Sequence, residues 1–295
     1  MRAGQAVDDT TMALTYNSLM ALSATDLPCN YDDRDTLLYA LGVGFGSDPL
    51  HHKELQYVVE TMGQHTVPTM AAAMPNLDFM QNCGWNYRQV LHREQKLEMY
   101  RPLPMAAELL LSSRVSSVFD RGPDRGAVLT ITTDARLRRD DTAMFTVEST
   151  LIARADGGFG GPAGKLAVPH ELPDREPDLT CDINIRPDQA LLYRLFGDRN
   201  PLHADPAAAR GAGFDAPILH GLCTYGIACR AVLKTICDYD FTLITGFQAR
   251  FSAPVYPGDV LTTDMWQDRN VISFRCYVKG NEPVVLNNGK CTLAA

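Results

Sequence analysis

The chain has 295 residues, more than one compact domain usually needs, so two domains or a fused pair are expected. Hydrophobic residues make up 45% and charged residues 21%, a balance that excludes extended disorder. The net charge of −8 argues against nucleic acid or an anionic membrane as partner, while leaving room for a local basic pocket.

Near the N-terminus, Thr10 to Thr25 is uncharged and weakly resembles a secretory leader. Asp8 and Asp9 stand where such a leader carries basic residues, so residues 1–27 read instead as an extension. No uncharged apolar run reaches the ~18 residues that span a bilayer, so membrane insertion is not expected. Asp33 to Thr36 then opens a helix through Leu37-Leu38-Tyr39-Ala40-Leu41, which ends near glycine. The turn Asp48-Pro49-Leu50-His51 follows, and Pro102-Leu103-Pro104 introduces strand-like runs at Glu108 to Val118, Ala127 to Asp134 and Ala143 to Ala153.

From Arg154 to Leu179 the chain is rich in glycine and proline, which excludes a regular helix or a central strand. Residues 157–180 therefore read as a linker between an N-terminal half, 28–156, and a C-terminal half, 181–295. The second half repeats the plan of the first. Leu191-Leu192-Tyr193-Arg194-Leu195 parallels the earlier helix, and Asn200-Pro201-Leu202-His203 parallels the earlier turn. Pro254-Val255-Tyr256-Pro257 matches Pro102-Leu103-Pro104, at the same interval from His203 as Pro102 keeps from His51. Shared order and spacing point to duplication. Between these landmarks Leu219 to Cys237 has helical periodicity, with small residues suited to close packing on a sheet. Strand-like segments follow at Ile244 to Ala249, Val260 to Gln267, Val271 to Val278 and Val284 to Leu293, so the fold class is α+β with antiparallel sheets.

Chemistry concentrates in Gly197-Asp198-Arg199-Asn200-Pro201-Leu202-His203. A carboxylate, an amide and an imidazole lie within one turn, where Asp198 and His203 could share a single water and move its protons. The same residues could instead serve as a helix cap and an ordinary turn. Gly221 opens the long helix of the second half, and free amides at such an N-terminus suit an oxyanion. A packing role for this glycine is equally open. In the first half Gly46 stands where Asp198 stands in the second, so that half lacks the carboxylate, and His51 reads as a loop residue. The eight cysteines form no C-x-x-C pair, which offers neither a zinc site nor a disulfide framework and fits a reducing, cytosol-like compartment. Neither a dinucleotide fingerprint nor a nucleophile elbow is present.

The stretch Leu191 to Ala228, LLYRLFGDRNPLHADPAAARGAGFDAPILHGLCTYGIA, resembles the MaoC-like hydratase 2 proteins, including the hydratase domain of the peroxisomal multifunctional enzyme type 2. YALGVG at Tyr39, VLHREQKLEMYRPLP at Val90, GGFGG at Gly157 and ARFSAPVYPG at Ala249 extend the likeness over nearly the whole chain. The resemblance implies a double hotdog fold, with each half wrapping an antiparallel sheet around a helix. It implies R-specific hydration of trans-2-enoyl-CoA by Asp198 and His203 with Asn200 beside them, and an oxyanion amide at Gly221. Substrate contacts carry over to His92, Arg93, Arg121, Phe251 and the turn Asp198, Arg199, Asn200, Pro201, Leu202 and His203. Arg121 stands where a lysine is common. Arg93 replaces a usual glycine, and its cation is expected either to meet the CoA phosphates or to cross the acyl passage. Coenzyme A enters as part of the substrate, so no cofactor or metal is implied, and the assembly is expected to be a homodimer. The compartment is cytoplasmic, or peroxisomal in a eukaryote, although the final Leu-Ala-Ala is not an S-K-L-type ending. A hotdog thioesterase and a non-catalytic acyl-CoA binding protein are the rival readings.

Overall fold

The computed structural model describes residues 14–294 except 82, 87–88, 165–166 and 281–282. Its first half runs α1 (Tyr16–Met20), β1 (Ser23–Tyr31), α2 (Asp33–Gly42), α3 (His52–Leu55), β2 (Val90–Met99), β3 (Ala107–Asp120), β4 (Ala127–Leu137) and β5 (Ala143–Ala153). The second half runs β6 (Leu179–Asn184), α4 (Gln189–Tyr193), α5 (Pro206–Gly211), α6 (Gly221–Thr235), β7 (Ile244–Phe251), β8 (Val260–Asp268), β9 (Val271–Val278) and β10 (Val284–Leu293).

All ten strands form one antiparallel sheet in the order β1-β3-β4-β5-β2-β7-β10-β9-β8-β6. The order reads the same from both ends once each strand is matched to its counterpart in the other half. The central pair makes the symmetry concrete. The offset that carries His51 onto His203 and Pro102 onto Pro254 also carries Lys96 onto Gln248, and these two residues face each other in the β2–β7 ladder. A local two-fold therefore passes through that pair, the geometry a duplicated half produces when it pairs edge to edge with its copy. This is the α+β double hotdog expected from the sequence.

The halves are not equal inside. In the second, α6 is buried from Cys223 to Leu233 beneath its sheet. In the first, the corresponding place holds a six-residue 3-10 helix, Pro68–Ala73, whose Pro68 follows His51 at the interval His220 keeps from His203. The expectation of a full central helix in each half thus holds only for the second. Pro75, directly after the C-cap residue Met74, stops this segment from extending.

Three strands were not foreseen as strands. β1 contains Pro28 and few apolar residues, and β6 is short; both lie at sheet edges, where pairing demands least. β2 is rich in Glu, Lys and Arg, yet it sits at the centre, because only alternate side chains (Gln95, Leu97, Met99) face the core. The described part of the stretch read as an extension, residues 14–27, is also built into the fold. Its α1 buries Leu19 in a cluster with Met80, Trp85, Val118 and Leu129, and β1 begins within it at Ser23.

Candidate active site

The turn after α4 owes its shape to local hydrogen bonds. Asn200 Oδ1 accepts from Leu202 N at 3.0 Å and caps a 3-10 turn, Pro201–His203, in which Pro201 takes the first helical position. Asn200 N donates to Asp198 Oδ1 at 3.0 Å, which orients the carboxylate. Asn200 therefore holds the turn together with its side-chain oxygen, leaving its amide nitrogen without a protein partner among the described residues. His203 follows on the same turn, only 8% exposed, and its Nδ1 donates to the carbonyl of Ile218 at 2.9 Å. A carbonyl can only accept, so the neutral ring carries its proton on Nδ1 and a lone pair on Nε2. Burial pushes His203 below the ordinary histidine value, while the Ile218 carbonyl and the Asp198 carboxylate pull the other way. The result is an imidazole poised to accept a proton at Nε2.

The start of α6 faces this turn. No side chain caps that helix, so the amides of Gly221 and Leu222 have neither an intrahelical partner nor a side-chain one. A Cβ at position 221 would press the Phe251 ring at 3.2 Å, so glycine lets that aromatic wall approach the helix end. The N-cap residue, His220, is 1% exposed and stacks on His203 with ring centroids 3.8 Å apart and planes 27° apart. Its Nε2 donates to the backbone carbonyl of Asp198 at 3.1 Å. Burial, reinforced by His203, pushes His220 down to about 4.

Donor atoms of Asp198, His203 and His220 lie within 4.8 Å of one another, a spacing that invites comparison with a metal site. One nitrogen of each ring is committed to a backbone carbonyl, and the two rings stack.

These groups open onto a cavity of about 1130 Å³ built from both halves. Asp198, Asn200, Leu202, His203, Gly221 and Phe251 line it, as does His92 from β2. The His92 ring lies 4.8 Å from that of Phe251, its Nε2 has no partner among the described residues, and burial pushes it down to about 4. Chain comparison agrees with this geometry. The profile of the MaoC like domain matches residues 169–287, and that of the MFE-2 hydratase 2 N-terminal domain matches residues 29–155. The 3-hydroxyacyl-thioester dehydratase Y of Mycobacterium tuberculosis is 38% identical over 94% of this chain and 98% of its own. The chain belongs to the MaoC-like hydratase 2 family. The peroxisomal enoyl-CoA hydratase 2 of Arabidopsis thaliana is 33% identical over 92% of this chain and 94% of its own. The crystal structure of a MaoC-like dehydratase from Phytophthora capsici superposes with a TM-score of 0.83 at 30% identity, covering 94% of this chain and 98% of that one.

Within this MaoC-like frame, four residues assigned to the substrate stand elsewhere. Arg93, Arg121, Arg199 and Pro201 do not line the cavity. Arg93 is the bulged residue of β2, without a partner in β5, and its Nη1 donates to the carbonyl of Phe251 at 3.1 Å. The bulge turns it onto the seam between the halves. Arg121 sits in an exposed turn just past β3, where its amide donates to Gly126 O at 2.9 Å. Arg199 is exposed on the outside of the reactive turn, and Pro201 serves the backbone of the 3-10 helix.

The degenerate half shows why it lacks the carboxylate. Gly46 has a φ of 72°, and a Cβ there would come within 2.7 Å of Val58. His51 caps α3 through Nδ1, which accepts from Glu54 N at 3.2 Å, and it does not line the cavity. Sequence reasoning passed over His220 and Tyr193. The first stands beside Gly221 in the PILHG segment, a signal that was available; the second needed the tertiary fold. No described helix is long and apolar enough to cross a membrane.

Proposed function

We propose that this chain hydrates trans-2-enoyl-CoA thioesters reversibly to (3R)-3-hydroxyacyl-CoA. The observation that carries the reading is the convergence of the His203 Nε2 lone pair, the Asp198 carboxylate and the uncapped Gly221 amide on one cavity. Relatives named for enoyl-CoA hydration and for 3-hydroxyacyl-thioester dehydration support it, and the R configuration follows from family resemblance.

In this mechanism the thioester oxygen accepts from Gly221 N–H, which draws charge from the conjugated double bond. Asp198 and His203 hold one water against C3. As its oxygen bonds to C3, the water gives one proton to His203 Nε2, and the enolate charge collects on the thioester oxygen at the helix end. Asp198 stabilises the imidazolium, which returns that proton to C2. One water is added and no electrons leave or enter, so neither a redox cofactor nor a metal is required. The CoA thioester is itself the substrate.

The two halves divide the work in this reading. The second half supplies the reacting groups, and the first adds Met74, Leu77 and Leu91 to the cavity wall as a bed for the acyl chain. Domain limits of 28–156 and 181–295 belong to the same proposal, as does a homodimer. Cys29, Cys181, Cys223, Cys229, Cys237, Cys276 and Cys291 are free thiols, which supports a reducing compartment, either the cytosol or a peroxisome. A chain-length series of enoyl-CoA substrates, followed for loss of the conjugated thioester and for free thiol, tests the function. Hydration without thiol release is expected. Thiol release without hydration would establish a thioesterase, and binding without turnover an acyl-CoA sensor.

A further inference from the structure

We propose that His220 is a positioning residue, clamping the Asp198 turn to the oxyanion helix and sealing one face of His203 from water; this rests on the reading of Asp198 and His203 as the reacting pair. Three contacts carry the inference. His220 Nε2 donates to the backbone carbonyl of Asp198 at 3.1 Å, so the residue that precedes the oxyanion amide grips the residue bearing the carboxylate. Its ring covers His203 at 3.8 Å, nearly parallel. Tyr193 covers the ring from another side, at 4.9 Å.

The arrangement differs from that of a helix cap or a simple core histidine. As the N-cap residue of α6, His220 leaves the helix amides uncapped and sends its donor across to the turn instead. Its Nδ1 has no partner among the described residues, and neither has the Tyr193 hydroxyl. Two buried polar atoms are thus tolerated beside the reacting groups, a cost that packing alone would remove with an apolar ring. The groups facing His220 are Asp198 and His203 on the turn, and Tyr193 and Arg194 at the end of α4. Burial keeps His220 neutral at ordinary pH, so it lends His203 cover without adding charge.

The two roles separate by substitution. His220→Phe keeps the cover and deletes the donor. It should lower kcat by roughly 10- to 100-fold, because a small displacement of Asp198 from the helix end misaligns the water. KM and the acid limb of kcat/KM should stay close to those of the parent. His220→Gln restores an N–H within reach of the Asp198 carbonyl and removes the ring. It should recover most of kcat, while the acid limb moves up towards the ordinary histidine value as His203 meets water. A merely structural residue would place glutamine no higher than phenylalanine and leave the acid limb still. Parent-like kcat in His220→Phe, or glutamine no better than phenylalanine, overturns the proposal. If His220→Phe fails to fold, the glutamine variant decides: a raised acid limb with kcat near that of the parent supports the clamp. A kcat loss in that variant as large as that of His203→Gln overturns it. Measured alongside, full activity in His203→Gln would overturn the underlying pair, a result distinct from any given by the His220 variants.

Discussion

Arg230 of α6 reaches Glu54 of α3 with Nη2 at 2.8 Å, and the two side chains are 6% and 4% exposed. Tyr239 donates to the same carboxylate at 3.0 Å, and Arg230 Nη2 reaches Ser47 Oγ at 3.1 Å. The degenerate turn of the first half, with Gly46 where the second half has Asp198, is thereby tied to the helix whose far end carries Gly221. Breaking one side of such a buried pair strands a charge. Glu54→Ala should destabilise the fold by about 3–5 kcal/mol in urea unfolding. The joint change Glu54→Leu with Arg230→Met should cost less than either single change. A loss below about 1 kcal/mol for Glu54→Ala would show that the pair is not a structural tie.

The shared water predicts how the reacting pair responds to mutation. Asp198→Asn and His203→Gln should each reduce kcat by roughly 10²–10⁴-fold with unchanged unfolding midpoints. The double variant should fall far short of the product of the two losses, since both residues act on one water. Steady-state kinetics on the four proteins checks this, and strictly multiplicative losses would mean two separate waters or steps. His51→Ala should leave kcat intact.

Much of this site was legible because it is local. Gly197, Asn200, Pro201 and His203 sit within one turn, whose chemistry needs no distant partner, and Gly221 is marked by its place at a helix start. The placement of Arg93 on Phe251 O was not legible, because a bulge turns it there and no residue pattern announces that bulge. Tyr193 and the stacking of His220 depend on how α4 and α6 pack, which periodicity does not encode. The strands of the second half were read from their apolar runs, whereas β2 hid at the centre of the sheet beneath a charged outer face.

Histidines that folding withdraws from water shape the pH response, and burial lowers His65 and His170 along with those at the site. Folding lowers His92 and His220 to about 4 from an ordinary 6.5, and lowers His203 as well. The unfolded chain therefore binds more protons in this range, so stability is full above about pH 6.5 and declines as pH falls towards 4. His92→Phe should flatten that decline in thermal melts across this window, and an unchanged slope would remove His92 as a contributor. Activity should follow the same sign. His203 must be neutral to take a proton, so the acid limb of kcat/KM should lie below 6.5. A limb above 6.5 would contradict the buried, neutral imidazole.

Arg93 now carries a different expectation from that of its sequence. Because its guanidinium holds the Phe251 carbonyl at the seam, Arg93→Gly should leave the ratio of kcat/KM between long and short enoyl chains unchanged. The cost should be a modest loss of stability, about 1 kcal/mol for one hydrogen bond. A selective gain for long chains would restore the passage-blocking role.

The most direct test of the account is the stereochemistry of the product made from trans-2-enoyl-CoA by the parent chain and by His203→Gln. The 3-hydroxyacyl-CoA diastereomers are separated and free CoA is measured in the same reaction. The account predicts (3R)-3-hydroxyacyl-CoA from the parent, no thiol release, and a rate at least roughly 10²-fold lower in the variant. Formation of the (3S) product, release of free CoA without hydration, or an undiminished rate in His203→Gln would contradict it.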